Sequence, residues 1–509
     1  MNPQINYLLN LSIQHIQSNK LDDAERLLNQ ILRLQPKHAD ALCFLSVVAA
    51  KKYDFKNALK LINASISSAS RNPVAYNNQG NILKELGRYS DALMGYEKAI
   101  ALAPNYEEAY NNKGNTLQDL GKYQDAVVCY DKALSLSPGY AEALCNKGNA
   151  LQKLGLLEAA LSCYDAAIAI RPNYAEAWAY KGLIFGKLKR FEEASSCYNS
   201  AVTIDPHNSE AWNLIGLLFC DYGLYKESVE YFDKALDAEK NYASAWSNKG
   251  VALSELGNYS ESLVAYQKAM SINVEQECIF GHLIHAKLQT ALWDGIDSDI
   301  DELRQRVNKL KKATTPFNYL SAIDSPQGAL NAAKIWVDDK HPQKNYYPPL
   351  KKTKHKKIRI GYFSPDFKNH PVSFLTAELF ELHSRDKFEI FAFSLKKAPN
   401  GDEMRVRLSS SFDHFLDVQD KSDSEIVELA RELEIDIAVD LAGHTQHGPT
   451  EIFSRKVAPI QINFLGYPGT SGAQYMDYII ADQIVVPEMN RQFFTEKIAY
   501  LPNTYMVDD

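Results

Sequence analysis

The sequence predicts an α-helical solenoid of about eight repeats followed by an α/β, Rossmann-like lobe. Two observations carry this. Residues recur at a spacing of 34 through the first half, and from Ile358 the pattern changes to short apolar runs alternating with helical stretches. A fixed period of a few tens of residues is the mark of stacked repeats. Short Ile-, Val- and Phe-rich runs separated by helices argue for a doubly wound parallel sheet.

The repeats come first. Gly80, Gly114, Gly148, Gly182, Gly216 and Gly250 stand 34 apart, as do Tyr96, Tyr130, Tyr164, Tyr198, Phe232 and Tyr266. Ala99, Ala133, Ala167, Ala201, Ala235 and Ala269 keep the spacing, and Pro104, Pro138, Pro172 and Pro206 close four units. Leu21 and Phe55 align with Tyr89, and Ala24 and Ala58 with Ala92, which gives eight units over residues 5–276. This resembles the tetratricopeptide repeat, a helix–turn–helix that buries its faces by stacking on neighbours. Glycine in the first helix is expected to let the neighbouring helix approach, at a propensity cost of about 1 kcal/mol. The alanines do the same in the second helix, the aromatics fill the gaps, and proline ends the helix.

Two further series share the ruler. Cys129, Cys163 and Cys197 are 34 apart and each precedes a tyrosine. Disulfides and zinc sites want short paired spacings, so these read as one small buried position repeated. Asn78, Asn112, Asn146 and Asn248 stand two residues before the glycine, with Tyr180 and Leu214 interrupting. Helix propensity does not explain them. On a concave face, such amides can serve the backbone of an extended peptide acceptor. The alternative is hydrogen bonding between repeats or plain surface polarity.

Residues 277–345 read as a helical cap and connector, and 346–357 as a basic linker. Its lysines, Lys351, Lys352, Lys354, Lys356 and Lys357, suit a solvated linker better than a targeting or anion-binding patch. Residues 358–509 form the lobe, with strands expected at "IRIGYF", "FEIFAFSL", "IDIAVDLAG", "IQINFLGY" and "DYIIAD", and helices at 374–383, 424–434 and 449–456. Ligands sit beyond the carboxyl ends of such strands. Three loops occupy those ends: "SPDFKNHP" (364–371), "GHTQHG" (443–448) and "GYPGTSG" (466–472). None is a standard nucleotide fingerprint. His444 and His447 are spaced for a metal on a helix face, but the glycines oppose a helix and no third ligand is evident, so no metal is predicted. The glycine-rich loop suits close approach of a sugar or phosphate.

Bulk properties narrow the class. A length of 509 residues implies two or three domains, and a net charge of -8 argues against nucleic-acid and anionic-membrane binding. No apolar run approaches the roughly 20 residues of a membrane helix, and the N-terminus lacks leader-like features. A cytoplasmic protein is expected.

Taken together, "IRIGYFSPDFKNHPVSFL", "FEIFAFSL", "APIQINFLGYPGTSGAQYMDYIIAD" and "EKIAYLPNTYM" resemble the protein O-GlcNAc transferases and the SPINDLY-like O-fucosyltransferases, glycosyltransferase family 41. That family also carries tetratricopeptide repeats ahead of its catalytic region. The resemblance implies inverting transfer of a sugar from UDP-GlcNAc, or alternatively GDP-fucose, to protein Ser or Thr hydroxyls, without metal or cofactor. It implies a two-lobed GT-B fold. By motif, His370 matches an active-site histidine that acts as base or positions the sugar. Leu465, Gly466, Tyr467, Pro468, Gly469 and Thr470 match a segment against the donor sugar, and His444 a loop residue approaching the site. An imidazole suits proton removal at neutral pH. The other reading of His370 is a residue that caps the helix opening at Pro371. Protein acceptors are the implied partners, with a second copy of the chain or a separate catalytic lobe also expected. Only one lobe is expected here, and with it little activity from the chain alone, because the family's diphosphate-neutralising groups lie in the second lobe. The rival reading is a non-catalytic tetratricopeptide adaptor.

Overall fold

A computed structural model describes residues 3–344, 347–348, 350, 355–445, 447–504 and 506; Lys351, Lys352 and Lys354 of the expected linker lie outside the described residues. The chain forms two compact units. One is Met1–Ile184 with Ser196–Asp205, the other Phe185–Ser195 with Pro206–Asp509.

In the first unit the helices come in pairs: Pro3–Gln17 with Leu21–Leu34, Ala39–Lys51 with Phe55–Ser68, and Pro73–Glu85 with Tyr89–Leu102. Glu107–Asp119 with Tyr123–Leu136 and Ala141–Lys153 with Leu157–Ile170 follow the same plan. The repeat glycines work differently from the expectation. A Cβ on Gly80, Gly114 or Gly148 would stand 2.5, 2.6 or 2.6 Å from the ring of Tyr96, Tyr130 or Tyr164. Each glycine therefore makes room for the aromatic ring of its own repeat. The buried hydroxyls are satisfied, Tyr130 donating to Asn115 Oδ1 at 2.7 Å and Tyr164 to Asn149 Oδ1 at 2.7 Å. None of the seven cysteines is in a disulfide, and six are buried.

The second unit continues with Ser209–Asp221 and Tyr225–Ala238, then Ala243–Glu255 and Tyr259–Ile272. Four more helices follow, Ile279–Gln289, Ile296–Asn308, Pro316–Ala322 and Pro326–Lys340. The lobe is built on seven strands: β1 (Ile358–Ser364), β2 (Phe388–Ser394), β3 (His414–Asp417), β4 (Ile437–Asp440), β5 (Ile460–Phe464), β6 (Tyr478–Ala481) and β7 (Lys497–Tyr500). They form one sheet in the order β3-β2-β1-β4-β5-β6-β7, and every pairing is parallel. Phe363, Phe393 and Phe453 fill one face of the sheet, and Tyr362, Phe380 and Ile390 the other. The two edge strands were not foreseen, nor was the helix Glu403–Ser411. β3 (HFLD) and β7 (KIAY) are four residues each and largely unburied, so neither carries a long apolar run.

The strand order fixes where a ligand can sit. From β1 the chain works outward to β2 and β3, and from β4 outward the other way to β7. The loops leaving β1 and β4 therefore diverge, which opens a crevice between them at the carboxyl ends.

Candidate active site

The β1 side of that crevice is the loop 364–371. His370 is extended (φ -154°, ψ 146°) and caps the helix Pro371–Leu382, its Nδ1 accepting from Val372 N at 3.3 Å. Proline at the first helical position needs no donor partner there. Asp366 Oδ2 stands 3.8 Å from the same Nδ1. Burial raises the Asp366 carboxyl above its usual range, and the charges of His370 and Lys368 pull it back. The ring is about two-fifths exposed, so its Nε2 edge can reach a ligand. Capping and a partly exposed ring thus coexist at His370.

The β4 side is the turn 441–448. Asp440 ends β4, buried, and its Oδ1 accepts from Ala442 N and Gly443 N at 2.8 Å each. Burial lifts this carboxyl to about 6 despite those bonds. His444 follows, its Nε2 donating to Ser471 O at 2.7 Å and its ring edge-on to Tyr467 at 5.2 Å. Desolvation lowers its pKa to about 4, so the ring is neutral at pH 7. Its Nδ1 is covered and without a partner.

The glycine-rich segment is more structural than its composition suggests. Leu465, Tyr467, Gly469 and Thr470 are buried, and Pro468 is exposed. A Cβ on Gly466 would meet Leu441 O at 2.0 Å, and on Gly469 the Tyr467 ring at 2.9 Å. Leu465 itself is left-handed, at φ 73°. A buried carboxylate, Glu496, holds the segment: it accepts from Ser471 N at 2.6 Å, Thr470 Oγ1 at 2.7 Å and Thr495 Oγ1 at 3.0 Å. Gly466 and Pro468 are left as the parts open to a ligand.

His444 and the 465–470 segment are therefore joined, through Ser471 and Tyr467, whereas the contacts of His370 are Asp366 and Val372. Sequence reasoning missed Asp366, Asp440 and Glu496. Asp366 lay inside the quoted motif and Asp440 closed an apolar run; Glu496 carries no local signal. The four asparagines have partners in or from the preceding repeat. Asn112 Nδ2 donates to Asn77 Oδ1, Asn146 to Asn111 and Asn248 to Asn213, at 3.1, 3.1 and 2.9 Å, while Asn78 reaches Cys43 Sγ at 3.4 Å. That ladder spends amide N–H groups on stacking the repeats, and the four Oδ1 acceptors have no bond among the described residues. No group of three or more His, Cys, Asp or Glu suited to a metal occurs among the described residues.

Comparison with known proteins shows what the lobe resembles. Residues 316–509 match glycosyl transferase family 41, and tetratricopeptide repeat families match 9–73, 80–121, 107–208, 209–242 and 243–274. Residues 316–509 are the segment that matches family 41. It is similar to the probable UDP-N-acetylglucosamine–peptide N-acetylglucosaminyltransferase SEC of Arabidopsis thaliana, 40% identical over 154 residues, covering 30% of this chain and 16% of that protein. The Caenorhabditis elegans UDP-N-acetylglucosamine–peptide N-acetylglucosaminyltransferase is 39% identical over 154 residues, 30% of this chain and 13% of that one. The probable enzyme SPINDLY of Arabidopsis thaliana is 30% identical over 168 residues, 33% and 18% respectively. The matches thus span less than a fifth of each relative's length.

Proposed function

We propose that the protein is a protein O-glycosyltransferase of the O-GlcNAc type, moving N-acetylglucosamine from UDP-GlcNAc to Ser or Thr hydroxyls of proteins with inversion. The observation that carries this is the family 41 segment with His370 on the β1 loop at the sheet's switch point. The repeats supply the acceptor-recruiting part, and the free Oδ1 atoms of Asn78, Asn112, Asn146 and Asn248 are its peptide contacts. A hydroxyl attacking an anomeric carbon sheds a proton as the bond forms, and the imidazole of His370 is the group placed to take or relay it. Leu465–Thr470 lies against the sugar, with Gly466 and Pro468 making the contact and the remainder fixing the shape. His444, neutral and tied to Ser471, holds the β4 turn against that segment. Among the described residues no helix is long and apolar enough to cross a membrane. We place the protein in the cytoplasm, where nucleotide-sugars and protein acceptors meet.

The test is transfer of labelled sugar from UDP-GlcNAc, and from GDP-fucose, to a protein acceptor. It is run with this chain and with the longest reading frame that contains it. His370→Ala removes the ring, while His370→Asn keeps a competent cap. Loss of transfer in both, with the asparagine variant as stable as the parent, supports a chemical role. Full transfer by His370→Asn refutes it.

A further inference from the structure

Three lysines crowd the carboxyl ends of β2 and β1 within the second unit. Lys368 sits in the β1 loop, two residues before His370, and Lys396 two residues past the end of β2. The two loops are tied together, Leu395 N donating to Ser364 O at 2.9 Å and Asn369 N to Asp402 Oδ2 at 2.8 Å. Lys396 Nζ donates to the carbonyl of Asp221 at 3.0 Å, at the end of the helix Ser209–Asp221. Beside Asp221, Tyr222 packs on Phe191 with ring centroids 4.6 Å apart, and Lys189 precedes that phenylalanine by two. A repeat turn and two lobe loops therefore meet at one place.

All three lysines are half-buried, and their charge is poorly met. The ion pair found for them among the described residues is loose, Lys189 Nζ to Asp423 Oδ1 at 3.9 Å. Neighbouring carboxylates are engaged elsewhere: Asp402 caps the Glu403–Ser411 helix and holds Asn369, Asp417 pairs with Arg405, and Asp366 faces His370. Burial lowers the Lys396 ammonium, Lys189 and Lys368 lower it further, and Asp221 opposes them. The tied loops and the Lys396–Asp221 bond bring these charges to one place. His447, exposed on the β4 turn, feels the same three charges. In a chain with net charge -8, this is a local excess of positive charge beside the crevice.

We propose that Lys189, Lys368 and Lys396 form an anion-binding site for a phosphorylated or acidic residue of the protein acceptor, close to the hydroxyl to be modified. Half-buried ammonium groups whose one ion pair is loose gain from a phosphate or carboxylate that brings its charge to them. That the anion is borne by an acceptor protein rests on the transferase reading and on Lys189, which belongs to a repeat turn.

The probes are two fluorescein-labelled serine peptides, identical except that one carries a phosphoserine near the acceptor serine. Binding to the 509-residue chain is read by anisotropy at low salt. The phosphopeptide is expected to bind about tenfold tighter or more, and raising the salt should narrow the gap. Lys368→Met with Lys396→Met should remove most of the gap and leave the unphosphorylated peptide unchanged. Methionine keeps the apolar stem, and thermal melting checks the fold. If the double variant fails to fold, Lys189→Met alone should narrow the gap. Equal affinity for the two peptides, or a gap that survives the substitutions, overturns the inference. Displacement of the phosphopeptide by UDP overturns it too, by assigning the lysines to the donor. Because no transfer step is involved, these outcomes judge the anion site alone. A lysine-dependent gap without sugar transfer in the assay above refutes the transferase reading alone.

Discussion

Glu496 gives the sharpest test of how the glycine-rich segment is held. Its carboxylate is 5% exposed and accepts three hydrogen bonds, from Ser471 N, Thr470 Oγ1 and Thr495 Oγ1. Glu496→Ala strands a buried N–H and two hydroxyls. At about 1–3 kcal/mol for a stranded donor, with hydroxyls able to turn elsewhere, the loss is about 3 kcal/mol. Glu496→Gln keeps one carbonyl oxygen for Ser471 N and turns its amide toward the threonine hydroxyls, so it should cost about 1 kcal/mol. A two-unit chain has no single unfolding free energy, so the readout is native-state hydrogen exchange at individual amides. The amides of Ser471 and Gly472 should exchange roughly a hundredfold faster in the alanine variant, with β1 and β2 unaffected. Unchanged protection at Ser471 would mean the segment is held by its glycine packing alone and would refute the clamp.

Other consequences are as direct. In Gly114→Ala the new Cβ would lie 2.6 Å from the Tyr130 ring, so the repeat should lose about 1–3 kcal/mol in melting, and Tyr130→Leu should restore part of it. Burial raises the Glu451 carboxyl, but the bonds from His341 and Lys344, with Arg455 adding to them, win and hold it at about 2. A depressed carboxylate contributes stability above its unfolded pKa and loses it as pH falls through the folded one. The stability gap between parent and Glu451→Gln, read by hydrogen exchange at the amides around Glu451, should therefore be full above about pH 5 and shrink steadily toward pH 2. His370→Ala should cost about 1 kcal/mol through loss of the cap, and His370→Asn much less, by melting. Asn112→Ala should weaken stacking on the preceding repeat by removing the bond to Asn77, visible as faster exchange in Pro73–Glu85 and Glu107–Asp119.

The solenoid was legible because stacking makes each repeat solve the same packing problem, which writes a period into the chain. What the period could not show was which atoms meet. Gly114 and Tyr130 were both visible, yet only coordinates pair one with the other inside a repeat. The central strands were legible because burial on both faces leaves continuous apolar runs, while β3 and β7 lie at the edges and carry polar ends. At the site, the loops were legible as sequence motifs. Glu496 was not, since it reaches Ser471 from 25 residues away and its partners are a backbone amide and two hydroxyls. No local pattern encodes that.

The proton at His370 shows what the geometry demands of the chemistry. With Nδ1 accepting from Val372 N, the neutral ring carries its hydrogen on Nε2, so the exposed edge is a donor. That form positions a sugar or hydroxyl oxygen but cannot take a proton at Nε2. To become a base there, the ring must move its hydrogen to Nδ1, giving up the cap bond to Val372. Asp366 Oδ2, 3.8 Å away, is the acceptor that can receive that Nδ1–H after a small closure. Asp366 is therefore the group that sets which form is populated. Burial raises its carboxyl, and a protonated carboxyl would leave the positioning form in place. Asp366→Asn should fix the positioning form across the pH range. If transfer needs His370 as base, this variant loses turnover while acceptor binding stays intact. Unchanged turnover in Asp366→Asn would assign His370 to positioning alone.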